Sequence, residues 1–245
     1  MNLVSVIRKK LASDENTTGN GRYERKFVVK KFDIRQLESI LMLHPAMFRE
    51  KFKKRKINNI YLDTPAMNSY FGNVYGNAAR MKVRIRWYGN TFGPVERPVL
   101  ELKIKNGLAG KKMSFELNQF TLDKNFNRDT LKSLLDHKDI PEWTKTELAS
   151  YQPVLLNSYF RKYFVSDDKK IRITLDEGMT YYQASPQNNS FIRKHEDKDS
   201  LIIEMKYTLD NAFVASDISQ HFPMRMTKSS KYVNGIDIFY PQLAT

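Results

Sequence analysis

Three short stretches carry side chains whose type and spacing suit a strongly anionic ligand. The clearest is Lys82-Val83-Arg84-Ile85-Arg86-Trp87-Tyr88. In a β-strand successive side chains point to opposite faces, so Lys82, Arg84 and Arg86 line one face and Val83, Ile85 and Trp87 the other. The alternation returns in Leu100-Glu101-Leu102-Lys103-Ile104-Lys105 and in Leu201-Ile202-Ile203-Glu204-Met205-Lys206. A charged front usually meets bulk water. Its recurrence here, mostly basic, points to one shared concave surface.

The elements positioning these residues must be mainly strands. The chain has 245 residues, a hydrophobic fraction of 41% with 15 Phe and 13 Tyr, and a net charge of +14. That is enough apolar material for one large β-rich domain. The charge calls for an anionic partner, whether nucleic acid, acidic lipid or a phosphate-rich small molecule. Zero cysteines exclude disulfides and thiolate metal sites and fit a reducing compartment. The opening Met1 to Ile7 runs into Arg8-Lys9-Lys10, the wrong charge order for a signal peptide, and no stretch reaches membrane-span length. A cytoplasmic protein is expected.

In chain order, residues 1–21 read as a short amphipathic helix and a turn-rich connector, and 22–245 as a single domain. Strands are expected at 22–30, 57–63, 80–87, 99–105, 112–117, 154–165, 171–175, 179–183 and 201–207, with a turn around Glu177-Gly178. Asp33 suits the N-cap of a helix through Leu37 and Leu41, Met67 to Tyr70 a short helical piece, and Ala212 to Gln220 another helix. Residues 129–150 read as two helices divided at Pro141. The basic run Lys51 to Lys56 reads as a solvated loop, 107–110 as a hairpin loop, and Ser185 to Asn189 as a hairpin tip or disordered loop. The fold class is α+β and β-rich: an antiparallel barrel with a basic lumen and helices packed outside. The same parity would serve a sandwich whose basic residues face bulk water, and periodicity alone does not choose between them.

The ordered set of motifs does choose. Tyr23-Glu24-Arg25-Lys26, Tyr61-Leu62-Asp63-Thr64, Val83-Arg84-Ile85-Arg86-Trp87-Tyr88-Gly89, Glu101-Leu102-Lys103, Tyr159-Phe160-Arg161, Arg172 to Asp176, Glu204-Met205-Lys206 and Lys228-Ser229-Ser230-Lys231-Tyr232 span nearly the whole body. Together they resemble the VTC domain, the catalytic domain of the vacuolar transporter chaperone complex, within the triphosphate tunnel metalloenzyme (CYTH-like) superfamily. The resemblance implies an eight-stranded tunnel gripping a triphosphate or polyphosphate. It implies substrate contacts from Lys26, Arg84, Arg86, Lys103, Arg161, Lys206, Lys228, Ser230 and Lys231, with Lys231, Arg84 and Arg86 closest to the chemistry. Glu204 and Glu24 would hold Mn²⁺ or Mg²⁺, which prefer oxygen ligands and bridge phosphates with only one or two protein carboxylates. Arginine meets phosphate oxygens two at a time, and lysine serves as a movable point charge.

The superfamily's Glu-x-Glu-x-Lys pattern is incomplete here, because Arg22 stands at its first position. There is no SPX domain or membrane segment among the 245 residues, so coupling to translocation would come from other chains. The implied reaction passes the γ-phosphoryl of ATP to a polyphosphate end. A metal-dependent tri- or polyphosphatase and a non-catalytic polyanion-binding module are the alternatives. Nucleic acid is not expected, since the aromatics follow no RNA-binding pattern. His44, His137, His195 and His221 lie outside the motifs and read as structural or surface residues. On this reading Glu204→Gln folds normally, binds metal more weakly and turns over little. Removing Arg84 and Arg86 together relieves repulsion and raises thermal stability without phosphate.

Overall fold

The computed structural model describes residues 22–30, 32–106 and 109–244. Residues 1–21 and the middle of the 107–110 loop lie outside the described residues. The body is one antiparallel sheet built from β1 (Arg22–Val29), β2 (Arg49–Asp63), β3 (Ala79–Tyr88), β5 (Val99–Asn106), β6 (Ala109–Glu116), β8 (Gln152–Val165), β9 (Arg172–Gln183) and β11 (Leu201–Thr208). Their order is β1-β11-β9-β8-β2-β3-β5-β6, with β10 (Lys194–Asp197) paired to β9. A separate ribbon pairs β4 (Gly93–Val95) with β7 (Phe120–Leu122).

The two faces divide as alternation requires. Val83, Ile85 and Trp87 are buried against Leu131, Leu134 and Leu148 of α3 (Arg128–Leu135) and α4 (Glu142–Leu148). Phe27, Ile173, Ile203 and Met205 pack under Leu37 and Leu41 of α1 (Ile34–Met42) and Ala215 and Ile218 of α5 (Ala212–Gln220). The apolar backs thus lie beneath helices on the outside, and the basic fronts face inward. Local chemistry starts α1: the Asp33 side chain accepts from the Gln36 amide at 2.8 Å, and the Gln36 side-chain oxygen accepts in turn from the Asp33 amide.

Two expectations are corrected. Lys51 to Lys56 is not a loop; it is the exposed first half of β2, laddered to β8 through Arg55 opposite Arg161 and Lys56 opposite Phe160. Two register shifts, at Glu50/Phe52 and Phe52/Arg55, and a run charged at every position but Phe52 hide the alternation there. Glu177-Gly178 is not a turn, because β9 runs straight through it. Gly178 at φ +59° makes a bulge opposite the Ser158/Phe160 register shift. The Ser185 to Asn189 segment is an ordered loop, in which the Asn189 side chain donates to the Phe126 carbonyl and accepts from the Ser185 amide.

The sequence reading missed α6 (Lys231–Phe239), which packs on the inward face of the sheet. Ser230 caps it by accepting from the Val233 amide, and Tyr232 donates to the buried carboxylate of Asp63. Asp63 also accepts from the Ser69 and Tyr70 amides that open α2 (Asn68–Val74). Gly235 hid the helix, since glycine weakens helix interiors. Its cause is steric: a Cβ there would lie 2.4 Å from Leu155 Cδ2 and 2.8 Å from Tyr181 Cδ1. Gly235→Ala is therefore expected to lower the melting temperature, because overpacking of about 1–3 kcal/mol outweighs a helix-propensity gain of about 1 kcal/mol. An unchanged or higher melting temperature would show that Leu155 and Tyr181 yield.

Candidate active site

The curled sheet encloses a cavity of about 750 Å³, mouth included. Each strand delivers to it the residues that its parity aims inward. β1 supplies Glu24 and Lys26, β11 Glu204 and Lys206, β8 Tyr159 and Arg161, β3 Lys82, Arg84 and Arg86, β5 Glu101 and Lys103, and β6 Lys112. Ser230, Lys231 and Tyr232 enter from the start of α6. Among the described residues the lining carries nine cations against three carboxylates. Such an excess inside low-dielectric walls focuses a positive field.

Each carboxylate organises a group of cations. Glu101, buried on β5, accepts from Arg84 at 2.6 and 2.7 Å, pairs with Arg86 at 3.6 Å and meets Lys112. Burial pushes its carboxyl up, but Arg84, Arg86 and Lys112 outweigh that and bring it to about 2. Arg86 also donates to Asn59, which donates to Asn157, so its fork is held from behind. Asp176, fully buried below the lining, grips Arg161 through both oxygens and Lys231 at 2.6 Å. Glu204 sits among Arg161 at 3.0 Å, Lys26 at 3.4 Å, and Lys206 and Lys231 at 3.5 Å. Burial opposes its ionisation, yet these four cations hold it well below the usual carboxylate range. Tyr159 lies beneath Lys231 Nζ, 4.7 Å from its ring centre.

Most of the expected site residues come together here: Lys26, Arg84, Arg86, Lys103, Arg161, Lys206, Ser230, Lys231, Glu204 and Glu24 all line the cavity. Lys103 reaches Glu24 at 3.4 Å, so β5 and β1 face each other across the space. Lys228 stands apart, exposed on the segment before α6 and outside the lining. The four histidines also lie outside it. The sequence reading missed Lys112, Tyr61, Tyr159 and the roles of Glu101 and Asp176. It placed Lys82 on the basic face by parity with Arg84 without naming it among the substrate contacts.

Lys82 differs from its neighbours. Every other lining cation has a carboxylate partner, whereas the Lys82 ammonium donates to the neutral Ser230 hydroxyl at 2.9 Å. Burial, then the charges of Lys26, Lys103, Arg80 and Arg84, bring it down to about 7. An arriving polyanion raises it again, so binding takes up a proton just above pH 7 and weakens as pH rises through that window. Calorimetric titration with inorganic triphosphate near pH 8, in buffers of different ionisation enthalpy, is expected to show net uptake that Lys82→Met removes. Equal uptake by that variant would rule Lys82 out as the source.

Fold and lining define a cation-walled cavity inside a curled antiparallel sheet. The VTC domain family model matches residues 21–240, and the chain belongs to that family. Among solved structures, an adenylyl cyclase candidate from Hippeastrum, described as having a dominant triphosphatase activity, is similar at 14% identity and a TM-score of 0.50, covering 86% of this chain and 93% of that one. A protein from Pyrococcus horikoshii OT3 is similar at 13% identity and a TM-score of 0.48, covering 91% and 99%. No curated protein matches the sequence.

Proposed function

We propose that this chain is a polyphosphate polymerase-like phosphotransferase that passes the γ-phosphoryl group of ATP to a polyphosphate end. The carrying observation is that all three lining carboxylates are ion-paired among nine cations. Hydrolysis needs a base to take a proton from water, and carboxylates held this far down are poor bases. Polyphosphate is already an anion. Its terminal oxygen bonds to the γ-phosphorus, the bond to the bridging oxygen of ADP breaks, and no proton need move.

The walls then supply position and charge, which is most of what phosphoryl transfer asks of a protein. Arg84 and Arg86, aimed by Glu101, hold successive phosphates along β3. Arg161 and Lys231, anchored by Asp176, neutralise charge on the transferring group. Lys26, Lys103 and Lys206 line the path of the chain.

Among the described residues no three His, Asp or Glu side chains gather as a metal site. Glu24 and Glu204 nevertheless converge on one point, the Lys26 ammonium, at 3.2 and 3.4 Å. With that ammonium moved aside, these two oxygen donors would suit Mn²⁺ or Mg²⁺, whose shells phosphate and water would complete. Bound there, the ion would supply further charge neutralisation at the phosphate oxygens. ATP and polyphosphate are the proposed partners, and the absence of cysteine fits a cytoplasmic setting. Incubation of the purified chain with ATP and Mn²⁺ is expected to give a polyphosphate ladder on a stained gel, with ADP formed in proportion. ADP and free phosphate without polymer would make it a hydrolase instead. Binding without turnover would make it a polyanion module.

A further inference from the structure

The inward face of the sheet continues past the cavity to a rim that the phosphate chemistry does not use. Arg55 on β2 lies opposite Arg161, and Phe52 lies opposite Tyr163. Directly opposed residues of antiparallel strands share a face, so these side chains continue the inward surface. Tyr88 and Tyr163 stand two residues beyond Arg86 and Arg161, roughly 7 Å further along β3 and β8. Both strands run antiparallel to β2, so both steps climb towards the same end of the sheet. The opposite end is filled by α6, where Ile236 and Phe239 pack in one cluster with Leu155, Tyr181 and Ile202. The rim is therefore the open mouth.

That mouth is built from flat side chains. The Arg55 guanidinium lies 5.2 Å from the centre of the Phe52 ring and 5.7 Å from those of Tyr88 and Tyr163. Phe52 and Tyr163 meet edge to face at 5.7 Å. Phe52 is 45% exposed and Tyr88 53%. Among the described residues Arg55 makes no ion pair, whereas every cation deeper in except Lys82 has a carboxylate partner. Polyphosphate has no use for aromatic rings. A nucleobase does, because arenes and guanidinium planes stack on the π-face of any base.

We propose that Phe52, Arg55 and Tyr88 form a stacking platform for the base of the nucleoside triphosphate whose phosphates enter the cavity. The proposal rests on the nucleotide-donor reading above. It makes the mouth tolerant of base identity, since stacking reads no hydrogen-bond pattern. All three residues are exposed, so their replacement leaves the core intact.

Calorimetric titrations with ATP and with inorganic tripolyphosphate, in one buffer, separate base from phosphate. The double variant Phe52→Leu, Tyr88→Leu is expected to bind ATP about tenfold more weakly and tripolyphosphate as the wild type does. Arg55→Lys, which keeps the charge and loses the plane, is expected to show the same selective loss at several-fold. In turnover assays the loss appears in KM for ATP and not in kcat. Unchanged ATP binding in these variants, with tripolyphosphate still bound, overturns the platform alone. Equal weakening of both ligands also overturns it and assigns the rim to the phosphate chain. A wild type that binds neither ligand overturns the donor reading and the platform with it.

Discussion

Glu204→Gln is expected to lower stability by about 3–5 kcal/mol at neutral pH and to abolish turnover, the scale seen when one partner of a buried charge cluster is removed. As a metal ligand alone, Glu204 would be replaceable without harm to the fold. Its surroundings say otherwise. Lys26, Arg161, Lys206 and Lys231 all lie within 3.5 Å of its oxygens, and its side chain is only 9% exposed. Neutralising it leaves those four cations repelling one another, with Asp176 compensating only Arg161 and Lys231. The sign with pH follows from the depressed carboxyl. Its stabilisation is complete above the unfolded value of about 4.3 and is lost as pH falls through the lower folded value. The gap between wild-type and variant melting temperatures should therefore be full at pH 7 and close in acid. Polyphosphate added at pH 7 should restore part of the loss, since it supplies the missing negative charge. Equal melting temperatures at pH 7 would overturn the assignment of Glu204 as the neutralising centre.

Replacing Arg84 and Arg86 together with alanine should abolish detectable triphosphate binding and destabilise the protein. Two partly desolvated charge-assisted contacts of about 1.5–3 kcal/mol each make the binding loss at least a hundredfold. Repulsion considered alone predicts the opposite for stability, a gain on removing two like charges. Glu101 reverses that sign. Its carboxyl stands near 2 instead of 4.5 because Arg84, Arg86 and Lys112 face it, and the double variant leaves only Lys112. The depressed value corresponds to roughly 3 kcal/mol, present above pH 4.5 and lost as pH falls through 2. Most of it should disappear from the variant at neutral pH. Melting curves at pH 7 and near pH 2.5, without phosphate, read this directly. A variant more stable than wild type at pH 7 would restore the repulsion argument.

The parity of Arg84 and Arg86 against Val83 and Ile85 was legible because alternation follows from the covalent geometry of a single strand. The helix at Ile34–Met42 was legible because Asp33 offers an N-cap and Leu37 and Leu41 recur at helical spacing. The first half of β2 was not, since alternation carries no signal where nearly every residue is charged and exposed. Nor was α6, whose Gly235 answers to Leu155 and Tyr181 some eighty and fifty-four residues earlier.

By itself the sequence determined which side chains share a face and that the shared face is cationic, because both depend on nearest neighbours along the chain. It also carried the ordered motifs of the family. Only the tertiary structure decided which carboxylate restrains which cation. Glu101 reaches Arg84 across 17 residues, Glu204 reaches Arg161 across 43, and Lys103 reaches Glu24 across 79. Those pairings depend on strand order and on the curl that brings β5 to face β1. Coulomb energies at 3 Å in a buried space depend on such distances, and no local pattern encodes them.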